Sequence, residues 1–325
     1  MSAGPLCSLG QTARTMMTAG FARATLSELI DYAGLFPPAK LPLAAAYDEY
    51  RRLRGSQHAW MLGRFIVPFS RFAELLDLHG DAPPIPLSVI LDGDRDSILW
   101  LNALSDSLAV LAGHLHGDAR VEIASLEIPV PALKAARERY GAVLSQISAL
   151  LERTGLRSLP CYVEFPRDAR WAAEMPDAVA SLARTRLRSK IRCGGVVAAA
   201  FPSPAELAAH LQSCVENNVA WKATAGLHHP VARLDAATGF EMHGFVNLLL
   251  ASCIALEGAP FEEIEAVLAE RAAGAFAVGA SGLSWRGRNC EAGSIERTRR
   301  AGLLSYGSCS VDEPLEDLRA LGWLA

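Results

Sequence analysis

The sequence predicts an α/β fold of the (β/α)8 class, a TIM barrel. Strand-like runs of five to eleven residues recur along the chain, nearly all separated by helix-patterned segments, and that alternation implies a parallel sheet. The runs number eight, and eight units in about 300 residues favour a closed barrel over an open sheet. No G-x-G-x-x-G lies between the first strand and its helix, which argues against a dinucleotide-binding open sheet. The first and last strands carry the weakest pattern, which leaves an open doubly wound parallel sheet as the alternative.

Taken in order, residues 1–23 lack a basic start followed by an apolar run, so they do not form a secretory signal. They are small, polar and glycine-containing, and are expected to form a tail or cap ahead of a single barrel domain over 24–325. Residues 24–29 predict a short helix and 30–34 the first strand. Prolines then launch a helix over 43–53. RFIVPF (64–69) is the next strand, and Ser70 caps a helix to 78. Strands follow at 86–94, 121–128 and 161–165, with helices at 96–112, 132–151 and 168–184. SKIRCG (189–194) and AWKATAG (220–226) are consecutive strands around a helix at 205–217. Helices at 245–256 and 261–270, a final strand at 275–285 and closing helices, including 312–321, complete the chain.

A formal net charge of −4 offers no general attraction to nucleic acid or an anionic membrane surface. The apolar stretch 245–256 is interrupted by Asn247 and Ser252 and is shorter than the ~20 residues a bilayer requires, so it reads as a buried helix. Seven cysteines, an odd number without C-x-x-C spacing, suit reduced thiols in a cytoplasm better than a disulfide frame or zinc knot.

Strand parity locates a site. In 189–194, Lys190, Arg192 and Gly194 share one face. In 220–226, Lys222, Thr224 and Gly226 do the same. Two lysines and an arginine on one side of a buried sheet are costly unless that side is a functional mouth. Parity adds acids to the same set: Asp92 with Ser88 and Ile90, Glu127 with Ser125 and Ile123, and Glu164 with Tyr162. Each acid falls near the C-terminal end of its strand, where barrel active sites sit. Acid beside lysine suits proton transfer and imine chemistry, and a cationic neighbour such as Lys190 is expected to lower the pKa of Lys222. The alternative is a set of salt bridges filling the barrel interior.

K-A-T-A-G (222–226) resembles the K-x-[ST]-x-G around the Schiff-base lysine of deoxyribose-phosphate-type class I aldolases, which are (β/α)8 barrels. The resemblance covers five residues and implies Lys222 as an imine-forming nucleophile. The family's second active-site lysine lies on the strand after the motif, where VGASG here offers none; the companion in this chain, Lys190, lies on the strand before.

His228, His229 and His243 follow the motif. With Glu127, Glu164 or Asp92 they would give N and O ligands for a divalent metal. Adjacent histidines point to opposite sides of an extended chain, so a positioning or acid–base role for His228 is preferred. His114 and His116 precede a strand at the end away from the mouth and read as structural. For anion binding, Gly194 and Gly195 follow Arg192, and Gly279 and Gly282 with Arg286 would follow the last strand.

These features predict a cytoplasmic lyase or isomerase, with a second copy of the chain as a candidate partner in a homo-oligomer, acting on a small anionic carbonyl compound through a lysine imine without a cofactor. Lys222, Lys190, Glu164, Tyr162 and His228 would be catalytic; Arg192, Gly194, Gly195, Thr224, Asp92, Glu127 and Arg286 would bind substrate. A metal-dependent lyase, isomerase or hydrolase and a non-catalytic metabolite-binding barrel are the alternatives.

Overall fold

Alternate side chains along the strands face opposite ways, and in this molecule both ways are buried. A computed structural model describes residues 19–94, 99–117, 120–132, 139–168, 170–236, 238–279 and 282–324. In chain order the strands are β1 (Ile30–Tyr32), β2 (Leu62–Pro68), β3 (Pro86–Ile90), β4 (Glu122–Pro129), β5 (Cys161–Glu164), β6 (Arg188–Arg192) and β7 (Trp221–Thr224). Then come β8 (Arg233–Leu234), β9 (Glu241–Met242), β10 (Phe276–Val278), β11 (Gly282–Trp285), β12 (Arg288–Glu291) and β13 (Leu303–Ser308). Strands β1 to β7 and β13 close a parallel barrel, with β13 between β7 and β1.

The helices are α1 (Ala19–Leu26), α2 (Leu43–Arg54), α3 (Phe72–His79), α4 (Trp100–Gly117), α5 (Tyr140–Arg153), α6 (Trp171–Thr185), α7 (Pro204–Glu216), α8 (Phe245–Leu256), α9 (Phe261–Ala269), α10 (Ala292–Ala301) and α11 (Asp312–Ala320). The start of α7 shows the local logic. Ser203 accepts from the Glu206 backbone, Glu206 returns the bond to the Ser203 N–H, and Pro204 sits where no N–H is needed. Outward strand residues such as Val89, Leu126, Ile128, Val163 and Ile191 are buried in the layer beneath the helices. Helix α8 is buried almost all round, as its apolar run predicts.

The last barrel strand corrects the sequence-based expectation. Residues 276–285 do not enter the barrel. The Gly279 N–H donates to the Gly282 carbonyl at 2.8 Å, and β10, β11 and β12 form a separate antiparallel sheet. The eighth place is taken by LLSYGS, part of the stretch expected to be closing helices. Tyr306 faces outward and stacks on Phe245, while Ser305 and Gly307 face inward. Small polar inward residues gave this strand a weak apolar signature. Residues 1–18, most of the expected tail or cap, lie outside the described residues; α1 begins at Ala19 and includes the last part of that segment.

Candidate active site

The predicted inward face exists, and its charges meet at the middle of the barrel. Lys190 is registered directly beside Lys222 on β6 and β7, Glu164 beside Lys190, and Glu127 beside Tyr162. Glu127 lies between the two lysines. One carboxylate oxygen is 2.8 Å from Lys222 Nζ and the other 2.5 Å from Lys190 Nζ. Lys190 also reaches Glu164 at 2.8 Å, and Lys222 reaches Asp31 at 2.6 Å. Arg192 extends the chain toward solvent, 3.7 Å from Glu164.

Hydroxyls complete the coordination. Ser88 donates to Glu127 Oε1 at 2.6 Å and receives a bond from Ser125 at 2.8 Å. Ser305 donates to Asp31 at 2.7 Å, and the Arg64 backbone N–H donates to the other Asp31 oxygen at 2.9 Å. The Tyr162 ring lies 5.3 Å from Lys222 Nζ, within cation–π range. A side chain at Gly307 would come within 2.9 Å of Thr224 Oγ1, so β13 can pass close to β7 here only with glycine.

Burial and charge oppose each other at every member. Burial alone would push the Asp31 and Glu127 carboxyls up, but Lys222 with Arg64, and Lys190 with Lys222, hold them below the usual carboxylate range. Burial alone would push the lysines down, but their carboxylate partners outweigh it and hold both above the usual lysine value. This reverses the expected Lys190 effect on Lys222: an anion, Glu127, stands between the cations. The inward side chains of β1 to β7 include the carboxylates Asp31, Glu127 and Glu164 and the cations Arg64, Arg188, Lys190, Arg192 and Lys222. These eight groups, three negative and five positive, sum to two units positive.

Depth distinguishes the lysines. Lys222 is fully buried, whereas Lys190 keeps 6% of its surface and stands next to Arg192, whose side chain is 47% exposed. At the floor of the barrel, Arg299 donates to the carbonyls of Leu303 and Ser27 at 3.1 and 2.8 Å, and burial pushes its pKa down to about 10.

Other predicted members lie elsewhere. Asp92 is in the exposed segment after β3, where it accepts from the Ser70 backbone and hydroxyl, so Ser88 rather than Asp92 represents β3 inside. Arg286 is in the turn between β11 and β12, bound to Glu270 at 2.7 Å; it misses the mouth because the strands flanking it are not part of the barrel. Gly194 is used for packing: a Cβ there would be 2.7 Å from Gly226 Cα, and Gly226 itself has φ +69°. A Cβ at Gly195 would be 2.6 Å from the Ala200 methyl. His228 and His229 bind Glu313 and Asp317 of α11 at 3.0 and 2.6 Å, and His243 binds the Pro202 carbonyl at 2.7 Å. Among the described residues, the mouth brings together no three metal-ligating groups at coordinating separation. His114 lies in α4, edge-on to Phe72.

Sequence reasoning missed Asp31, Arg64, Arg188 and Ser305. Asp31 was visible as the charged residue of Ile-Asp-Tyr, and Arg188 shares parity with Lys190 and Arg192, whereas no inward position had been assigned on the strand of Arg64. Ser305 could not be found while β13 was unassigned.

Fold and site together define a (β/α)8 barrel with a charged, paired interior. No protein-family model and no curated protein matches the chain. Among solved structures it is similar to the deoxyribose phosphate aldolase from Aeropyrum pernix, with 12% identity, a TM-score of 0.51, and coverage of 92% of this chain and 93% of that one. At this identity the likeness concerns the fold. Among the described residues, no helix is long and apolar enough to cross a membrane.

Proposed function

We propose that the protein is an aldol-type carbon–carbon lyase acting on a small anionic carbonyl compound through a lysine imine. The observation that carries the proposal is the pair of registered lysines bridged by Glu127 inside a net-positive barrel. Lys190 is the better nucleophile, because Lys222 has no exposed surface. This exchanges the two roles that the five-residue motif implies.

In the resting protein Lys190 is an ammonium. A carbonyl compound anchored on Arg192 would draw its proton to Glu164, 2.8 Å away. The freed amine attacks the carbonyl carbon. Glu164 returns the proton, the oxygen leaves as water, and the product is a protonated imine with the same charge as the starting ammonium. The β-hydroxyl of the bound compound then gives its proton to Glu164 as the carbon–carbon bond breaks, and one fragment leaves as a carbonyl compound. The electron pair passes to the cationic imine as an enamine, which regains a proton and is hydrolysed, while Lys222 fixes Glu127 in place. Because the neutral amine is scarce, adduct formation is expected to rise with pH between about 7 and 9.

The A. pernix aldolase is described as tetrameric, and we propose a homo-oligomer here as well. We also propose a single barrel domain and a cytoplasmic setting, in keeping with free thiols at all six described cysteines.

The test is to incubate the protein with a pool of small keto acids and sugar phosphates, reduce with borohydride, and measure intact mass and modified peptide. A substrate-dependent adduct on Lys190, lost in Lys190→Met, is the expected result. An adduct confined to Lys222 would restore the motif-based roles. A second reading rests on the complete pairing of both lysines: the network fills the barrel and the protein binds an anion without turnover. Binding with no adduct from any compound would select it.

A further inference from the structure

A second cluster lies away from the mouth, where the inserted sheet meets the helical shell. Cys253 is in the last turn of α8 and Glu257 caps that helix, so at spacing i, i+4 they share a helix face. Cys290 comes from the middle of β12, on the neighbouring antiparallel sheet. Both cysteines are essentially fully buried. The two sulfurs and a Glu257 carboxylate oxygen all lie within 4.8 Å of one another.

Two elements distant in sequence, the end of α8 and β12, thus aim three metal-type donors at one point. Zinc–sulfur bonds of ~2.3 Å and zinc–oxygen bonds of ~2.0–2.2 Å place tetrahedral ligands within ~4 Å of each other, so the cluster needs only slight contraction. The site is far from the barrel mouth. The end of α8 is at the floor: a side chain at Gly302, just before β13, would lie 2.9 Å from both Leu256 and Trp221, and Trp221 opens β7. Arg288, 3.2 Å from Glu257, holds the carboxylate in the absence of a stronger cation.

We propose that Cys253, Cys290 and Glu257 form a structural site for a thiophilic divalent cation of the zinc class. Two thiolates and one carboxylate suit zinc over magnesium or calcium, and water takes the fourth position. Binding breaks two S–H bonds, releases both protons to solvent and moves Glu257 from Arg288 to the metal; no electrons are transferred. The metal clamps the β10–β12 sheet to α8 at the barrel floor.

The test uses the full chain, reduced, stripped with a chelator and titrated with Co2+. The expected result is a near-ultraviolet thiolate-to-cobalt charge-transfer band saturating at one equivalent per chain, bleached by zinc, with zinc raising the thermal unfolding midpoint. The band should vanish in Cys253→Ser/Cys290→Ser, with folding checked by circular dichroism. Glu257→Gln, at an exposed position, should keep the band and bind zinc more weakly. No band in the parent chain would overturn the proposal, as would a band surviving in the double variant or unchanged zinc affinity in Glu257→Gln. Conversion of the reduced protein in air to a Cys253–Cys290 disulfide in preference to binding Co2+ would also overturn it.

Discussion

The inside of the barrel and the shell around it are built by the same strands but obey different physics. On β4, Leu126 and Ile128 enter an apolar layer, where stability comes from area removed from water and close packing. Between them Glu127 points the other way, into a network whose charges have left water and must be offset by one another. The shell tolerates exchange among residues of similar size. The interior depends on each partner being present, so its stability is conditional in a way the shell's is not. A barrel can be filled more simply with valine and leucine, and the charged filling is what directs attention to chemistry.

The largest expected effect comes from breaking the network at its most buried point. Lys222→Ala leaves Asp31 and Glu127 each short of a partner and should lower stability by about 4 kcal/mol, measured by urea unfolding. A loss below about 1 kcal/mol would mean that water reaches the cluster, and the contrast with the shell would fail. Leu126→Ala in the shell should cost about 3 kcal/mol through lost burial and a cavity, and folded protein should still form the Lys190 adduct at the parent's yield. An adduct lost in Leu126→Ala would show that the two layers are not separable.

The same contrast decided what was legible in the sequence. Shell residues declared seven of the barrel strands through their apolar runs, while the eighth run counted, 275–285, lies outside the barrel. Parity then placed Glu127, Glu164, Lys190 and Lys222 together because a strand's geometry fixes which side chains share a face. Parity could not place residues beyond strand ends, which is why Asp92 was put inside although it turns out to meet Ser70. Nor did it reveal 303–308 as a strand, since that stretch was expected to be helical and 275–285 was taken as the eighth. Phe-Ala-Val, with its two buried apolar residues, has the more typical strand pattern, yet Leu-Leu-Ser-Tyr-Gly-Ser closes the barrel. Partner choice depends on the path of the chain through α10, and no local pattern encodes it. Nor could sequence order give the sign of the lysine pKa shift, which turns on Glu127 standing between two nitrogens.

A smaller effect should appear in the pH dependence of stability. Asp31 and Glu127 have folded pKa values below their unfolded ones, so their contribution is complete above the ordinary carboxylate range of about 4 and is lost as pH falls toward the folded values. Lys190 and Lys222 have raised values, so theirs is complete below the ordinary lysine pKa of about 10.4 and is lost as pH rises through the folded values. Urea midpoints should therefore form a plateau between about pH 5 and 10. Leu126→Ala should lower the whole curve without changing its shape. In Glu127→Gln the acid flank should be shallower; an unchanged flank would place the acid sensitivity outside the barrel.

The smallest stability effect is expected where the network meets water. Arg192 is about half exposed and only loosely paired with Glu164 at 3.7 Å, so Arg192→Ala should change stability by no more than about 1 kcal/mol. Its functional effect should be selective. If Arg192 holds the anionic group, the variant should form the Lys190 adduct more slowly with carboxylated or phosphorylated carbonyls, while a neutral aldehyde of similar size should react at the parent's rate. Equal slowing with both would mean that Arg192 acts through Glu164 and the proton path, because disturbing that carboxylate impairs imine formation whatever the substrate's charge. Borohydride trapping rates for the two substrate types, in parent and variant, separate anchoring from proton transfer at a residue whose loss leaves the fold intact.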